Sequence, residues 1–157
     1  MVLHVGQKAP EFSLFDTHKN KQSLSQYQGQ NVLLLFFPLA FTSVCTAELC
    51  SVRDNLKIYE ALNAQPIGIS IDSLYTLAKF KAEQNLNFPL LSDFNKNVSK
   101  TYNSLYETFG FEMQGVTKRS AFVIDKAGVI QYAEVLENAG LLPNFDKIRV
   151  KLRELSE

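Results

Sequence analysis

The chain has 157 residues, 46% of them apolar and 20% charged, with 16 Lys and Arg balanced by 16 Asp and Glu. That length suits one domain over residues 1–157, and the composition is too apolar for intrinsic disorder. A net charge of zero argues against broad attraction to nucleic acid or an anionic membrane and leaves only local patches to be considered.

Only two cysteines occur, Cys45 and Cys50, too few for a secreted disulfide scaffold. The opening MVLHVGQKAPEF lacks the basic start and long apolar run of a secretory signal. The most apolar stretch, Val32 to Phe37, is too short to cross a bilayer. A cytoplasmic protein with reduced thiols is the expectation, in which the Asn97-Val98-Ser99 sequon carries no glycan.

In chain order, Glu11 to Leu24 reads as a hairpin or pair of short strands around the polar turn Asp16–Asn20. Asn31 to Phe37 is a continuous apolar run halted by Pro38, as in a central strand covered on both faces. A helical segment follows from Ser43 to Leu62, with Leu49, Val52, Leu56 and Tyr59 recurring every three or four residues. Pro66 to Ile71 is the next buried strand, and Asp72-Ser73 can cap a helix running to Gln84 with Leu77 and Phe80 inward. Phe88 to Leu91 reads as a short strand and Asn95 to Tyr102 as a short helix. Ser120–Asp125 and Val129–Glu134 flank Lys126-Ala127-Gly128, a hairpin signal. Pro143 to Leu155 has Phe145, Ile148 and Leu152 at helical spacing. Strands alternating with helices, then a hairpin and a last helix, predict an α/β fold with a mixed central sheet flanked by helices.

The segment Pro38-Leu-Ala-Phe-Thr42-Ser-Val-Cys45-Thr-Ala-Glu48-Leu-Cys50 carries the chemistry. Cys45 falls in the first turn of the helix after Pro38, where unpaired N–H groups and the helix dipole favour the nucleophilic thiolate. Thr42 offers a hydroxyl to the sulfur or to a substrate oxygen. On placement alone, a small buried hydrophobe is an equally good account of Cys45. Glu48, one turn on, suits either an orienting contact to an Arg or the electrostatics of a helix start. His4 and His18 have no ligand spacing around them, and the seven glycines are scattered singly, so neither a metal nor a phosphate-bearing cofactor is expected.

Pro38, Thr42 and Cys45 match the P-x-x-x-T-x-x-C signature of the peroxiredoxins, and the resemblance extends along nearly the whole chain. Gly6-Gln-Lys-Ala-Pro10-Glu-Phe12 resembles the family's G-x-x-A-P-x-F, and Pro66 to Ile71 its V-x-G-I-S strand. Phe88 to Asp93 resembles its F-P-L-L-S-D, and Arg119 to Asp125 its Arg-bearing strand. Within the family the chain is most similar to the bacterioferritin comigratory proteins and the neighbouring alkyl hydroperoxide reductase E type. The resemblance implies a thioredoxin-like fold and thiol-dependent reduction of hydrogen peroxide and organic hydroperoxides. It implies Cys45 as peroxidatic cysteine, Thr42 binding the peroxide oxygens, Pro38 shielding the thiolate, and Arg119 holding thiolate and substrate. Glu48 is a supporting residue.

A sulfenic acid on Cys45 can condense with a second thiol, and Cys50 is the sole candidate in the chain. In a continuous helix five residues rise about 7.5 Å and turn about 140°, which puts the Cα atoms about 8.7 Å apart. A disulfide needs roughly 4.4–6.8 Å, so the first turns must unwind. Some members of the resembled branch use this C-x-x-x-x-C arrangement with local unfolding, which implies Cys50 as the resolving cysteine. Resolution by an external thiol is the alternative. The expected reductant is thioredoxin, glutaredoxin or a low-molecular-weight thiol. Phe41 and Tyr106–Phe111 resemble dimer-forming loops of the family, leaving monomer and homodimer both open. A disulfide reductase is disfavoured by the absence of C-x-x-C, and a redox-responsive binding or chaperone module remains a further reading.

Overall fold

The computed structural model describes residues 3–156. Seven strands form one mixed sheet in the order β2-β1-β5-β4-β3-β6-β7. They are β1 Ser13–Asp16, β2 Lys21–Ser23, β3 Asn31–Phe36, β4 Ala64–Ser70, β5 Leu90–Ser92, β6 Ser120–Ile124 and β7 Ile130–Val135. β3, β4 and β5 are parallel neighbours, and the other pairings are antiparallel. The expected hairpins at both ends are present as β1–β2 and β6–β7. In the second, Gly128 takes φ 86 at the turn, and Asp125 Oδ1 accepts from the N–H groups of Ala127 and Val129.

All six residues of β3 are buried, and alternation sends them to two different cores. Leu33 and Leu35 pack with Leu49, Tyr59, Leu77, Phe80, Ile148 and Leu152 on one face. These last come from α1 Ser43–Asp54, α2 Leu56–Ala61, α3 Leu74–Gln84 and α5 Phe145–Ser156. Val32, Leu34 and Phe36 pack on the opposite face with the N-terminal residues Leu3, Ala9 and Phe12, and with Val98 and Tyr102 in and just after α4 Asn97–Thr101. Burial on both faces is why the run from Val32 to Phe37 shows no polar alternation.

The helical segment expected from Ser43 to Leu62 is two helices, not one. Asn55 leaves helical geometry (φ −109°, ψ 16°), and its side-chain Nδ2 donates to Ser51 O at 2.8 Å. An Asn side chain that competes for a helix carbonyl in this way ends the helix without a Gly or Pro to announce it. The cap of α3 also differs in detail. Ser73 alone caps it, accepting from Thr76 N at 3.1 Å, while Asp72 points elsewhere.

Candidate active site

The site is built where β3 stops. Phe37 N still donates to Ile69 O at 3.0 Å, and the buried Pro38 then turns the chain out of the sheet. Asp72, at the end of the neighbouring parallel strand, accepts the Ala40 N–H at 2.8 Å and the Ser70 hydroxyl at 2.7 Å. Phe41 sits at φ 67, a left-handed conformation unusual for a bulky side chain, with its ring 5.2 Å from that of Phe80. Thr42 is extended (φ −97°, ψ 151°) and accepts the first helical bond of α1, from Thr46 N at 3.0 Å.

The Thr42 hydroxyl donates to Leu39 O at 2.7 Å and does not cap α1. Two consequences follow. The leading N–H groups of α1 are not consumed by a side-chain cap, so they remain available to an anion or to an oxygen. With its proton committed to Leu39, the exposed Thr42 oxygen can still accept a hydrogen bond.

Cys45 lies in the first turn of α1 and is 1% exposed. Arg119, also 1% exposed, reaches it from the residue before β6, with Nη2 at 3.3 Å from Sγ. β3 and β6 pair antiparallel with Phe36 opposite Ser120, so the start of β6 meets the end of β3. The guanidinium is fixed on its other sides too. Nη1 donates to Glu48 Oε1 at 2.8 Å, while Nε and Nη2 donate to Ala139 O at 3.2 and 2.9 Å.

Glu48 is fully buried, and its Oε2 has no hydrogen-bond partner. Burial pushes its carboxyl up to about 7 against the opposing pull of Arg119. Burial acts on Arg119 in the reverse sense, but Glu48 and the Cys45 sulfur more than offset it and hold the guanidinium charged. A sulfur beside a fixed cation, at a helix start with free N–H groups, can act as a nucleophile and can stabilise a departing oxygen.

Of the sequence-named residues, Arg119 is in direct contact with both Cys45 and Glu48, while Pro38 and Thr42 lie on the loop that leads into α1. Cys50 does not join them. It is a half-buried free thiol further along the unbroken α1, with Sγ donating to Gln84 Oε1 at 3.5 Å. Phe41 is 50% exposed and Phe111 99% exposed, while Tyr106 stacks on Phe109 at 5.1 Å. His4 and His18 are both exposed. Sequence reasoning missed three contributors. Ala139 acts through its backbone carbonyl, which any residue supplies, and Gln84 carries no motif. Asp72 was read as a helix cap, yet it ties down the loop before Cys45.

A buried thiol at a helix start, beside a buried guanidinium and a mixed sheet, is a setting found in thiol redox enzymes, and comparison narrows the class. The AhpC/TSA family profile matches residues 5–133. Alkyl hydroperoxide reductase E of Mycobacterium tuberculosis is 38% identical over 137 residues, covering 85% of this chain and 86% of that protein. The chloroplastic 2-Cys peroxiredoxin BAS1 of Spinacia oleracea is 36% identical over 162 residues, and the alignment covers 96% of this chain but 59% of the plant protein. Among solved structures, peroxidoxin BcpB of Mycobacterium tuberculosis superposes with a TM-score of 0.86 at 28% identity, covering 98% of both chains. The chain belongs to the AhpC/TSA family of peroxiredoxins and has their thioredoxin-like fold. It is a thiol-dependent peroxidase, taking a peroxide as substrate and a thiol as reductant. Among the described residues no helix is long and apolar enough to cross a membrane.

Proposed function

We propose that Cys45 is the peroxidatic nucleophile, reducing hydrogen peroxide and organic hydroperoxides in the cytoplasm. Its sulfur attacks the nearer peroxide oxygen, the O–O bond breaks, and the departing oxygen takes a proton to leave as water or an alcohol. Cys45 is left as a sulfenic acid. Thr42 accepts the hydrogen bond of the incoming hydroperoxide, which orients it for attack. Arg119 and the leading N–H groups of α1 stabilise the charge that builds on the oxygens. Pro38 keeps water from the sulfur, and Glu48 holds Arg119 in place. The half-exposed Phe41 beside Thr42 accommodates an alkyl substituent. The observation that carries this reading is the 3.3 Å contact between Arg119 Nη2 and Cys45 Sγ, both groups withdrawn from solvent.

Cys50 then resolves the sulfenic acid as an intramolecular disulfide after the first turns of α1 unwind. Thioredoxin, glutaredoxin or a small thiol reduces that disulfide. The whole chain works as one domain, as a monomer or as a homodimer through the exposed Phe41 and the Tyr106–Phe111 loop. Two free thiols suit a reducing compartment. The unbroken helix between the cysteines favours a second reading, in which an external thiol resolves Cys45 directly. Peroxide-dependent oxidation of a thioredoxin–NADPH system should be lost in Cys45→Ser, and retention of activity there refutes the assignment. Intact mass after one equivalent of peroxide should fall by two hydrogens and fail to do so in Cys50→Ser. A persistent sulfenic acid in the unsubstituted protein would instead establish external resolution.

A further inference from the structure

The last turns of α1 are fastened to the end of α3 by three contacts that the peroxide chemistry does not use. Cys50 Sγ donates to Gln84 Oε1 at 3.5 Å, and Arg53 Nη1 donates to the backbone carbonyl of the same residue at 2.5 Å. From the following loop, Asn87 Nδ2 donates to Arg53 O at 3.3 Å. Cys50 and Arg53 are three apart on one helix and so share a face. Gln84 is the last residue of α3, which ends on the left-handed Asn85 at φ 51, and its carbonyl is the one that Arg53 grips. Arg53 in turn is paired with Asp54 at 2.9 Å.

The contact between Cys50 and Gln84 depends on redox state by its chemistry. A thiol has a hydrogen to donate, and a disulfide sulfur has none. When Cys50 attacks the Cys45 sulfenic acid, its proton is released and a sulfur–sulfur bond forms. The S–O bond breaks, and the oxygen leaves as water after taking up a proton. The Arg53 and Asn87 contacts run to backbone oxygens and involve no thiol hydrogen. The Gln84 side-chain contact requires one.

Resting on the reading of Cys50 as resolving cysteine, we propose that Gln84 is a positioning residue for the resolving half of the reaction. It seats the Cys50 thiol against α3 while the protein is reduced and lets go once the disulfide forms. Arg53 keeps the acceptor in place by gripping the Gln84 backbone. Because Gln84 stabilises only the dithiol, it shifts the thiol–disulfide balance toward the reduced form. Removing the acceptor therefore favours the disulfide and speeds its formation.

The test uses Gln84→Met, which keeps size and removes the acceptor, and Gln84→Glu, which restores one. The midpoint potential of the Cys45–Cys50 couple is measured in dithiothreitol redox buffers. The rate of disulfide formation after one equivalent of peroxide is followed by acid quench and mass analysis. A weak S–H···O contact predicts that Gln84→Met shifts the equilibrium about threefold toward the disulfide, about 14 mV more negative for a two-electron couple. Disulfide formation should quicken, and Gln84→Glu should return both readouts to the unsubstituted values. A merely structural role for Gln84 would not be rescued in this way. A disulfide whose potential is the same in all three proteins, or an equal shift in Met and Glu variants, overturns this inference alone. Absence of any Cys45–Cys50 disulfide in the unsubstituted protein overturns the resolving role of Cys50 and this inference with it.

Discussion

Glu48 should make the protein lose stability as pH rises toward neutrality, the reverse of an ordinary carboxylate's contribution. Its carboxyl sits at 4.5 when unperturbed and is raised by burial to about 7 in the folded state. Between those values the folded protein holds a proton that the unfolded chain has released. Folding is thus favoured at the acid end of this window, and the advantage drains away as pH climbs to about 7. The gap between the two values is worth about 3 kcal/mol. Glu48→Gln keeps an acceptor for Arg119 Nη1 and removes the titration. Urea midpoints of both proteins, measured under reducing conditions from pH 4 to 8 at fixed ionic strength, should diverge with the parent losing ground as pH rises. Asp16 and Asp125 do not confuse the comparison. Burial alone would raise them, but hydrogen bonds, mostly from backbone N–H groups, hold both below the usual carboxylate range. Their stabilisation is therefore present above pH 4, is lost only at lower pH, and cancels between the two proteins. A difference that stays flat, or that grows in the parent's favour with pH, refutes the account of Glu48.

Arg119→Met removes the cation facing Cys45 and should lower kcat/KM for hydrogen peroxide by about 10²–10³-fold, the cost of losing one such charge-stabilising donor. Stopped-flow measurement of thiol oxidation reads this, and a loss under threefold would remove Arg119 from the reaction. Gly68→Ala is expected to destabilise by about 1–3 kcal/mol through overpacking. A Cβ there would lie 2.6 Å from Leu90 Cδ2 and 3.2 Å from Phe37 Cε1. An unchanged urea midpoint would mean that Leu90 moves aside without penalty.

Much of the fold was legible because periodicity and punctuation agree. The buried run ending at Pro38, the Lys126-Ala127-Gly128 turn and the spaced apolar residues of α5 each have one good reading. The break at Asn55 was not legible, since Asn is tolerated in helices and the apolar spacing continues through Leu56 and Tyr59. At the site, the local pattern located Cys45 at a helix start but could not bring Arg119 to it. That contact spans 74 residues and depends on which strands pair. Family resemblance supplied the pairing partner where periodicity had no means to. The Ala139 carbonyl, the Asp72 tether and the Gln84 acceptor stayed hidden because each depends on which distant segments the fold brings together.

The antiparallel register of β3 and β6 has a consequence for how this protein can change. Cys45 and Arg119 meet because Phe36 faces Ser120. A slip of two residues would carry Arg119 about 6.8 Å along the strand, about twice the distance that now separates it from the sulfur. A slip of one would turn every β6 side chain to the opposite core. Insertions at the exposed tip around Gly110–Met113 leave that ladder untouched, so chain length can drift there at less cost to the active centre than near the buried Ser104 and Thr117. A single residue inserted within β6 dismantles the ladder, however well the new residue suits a strand.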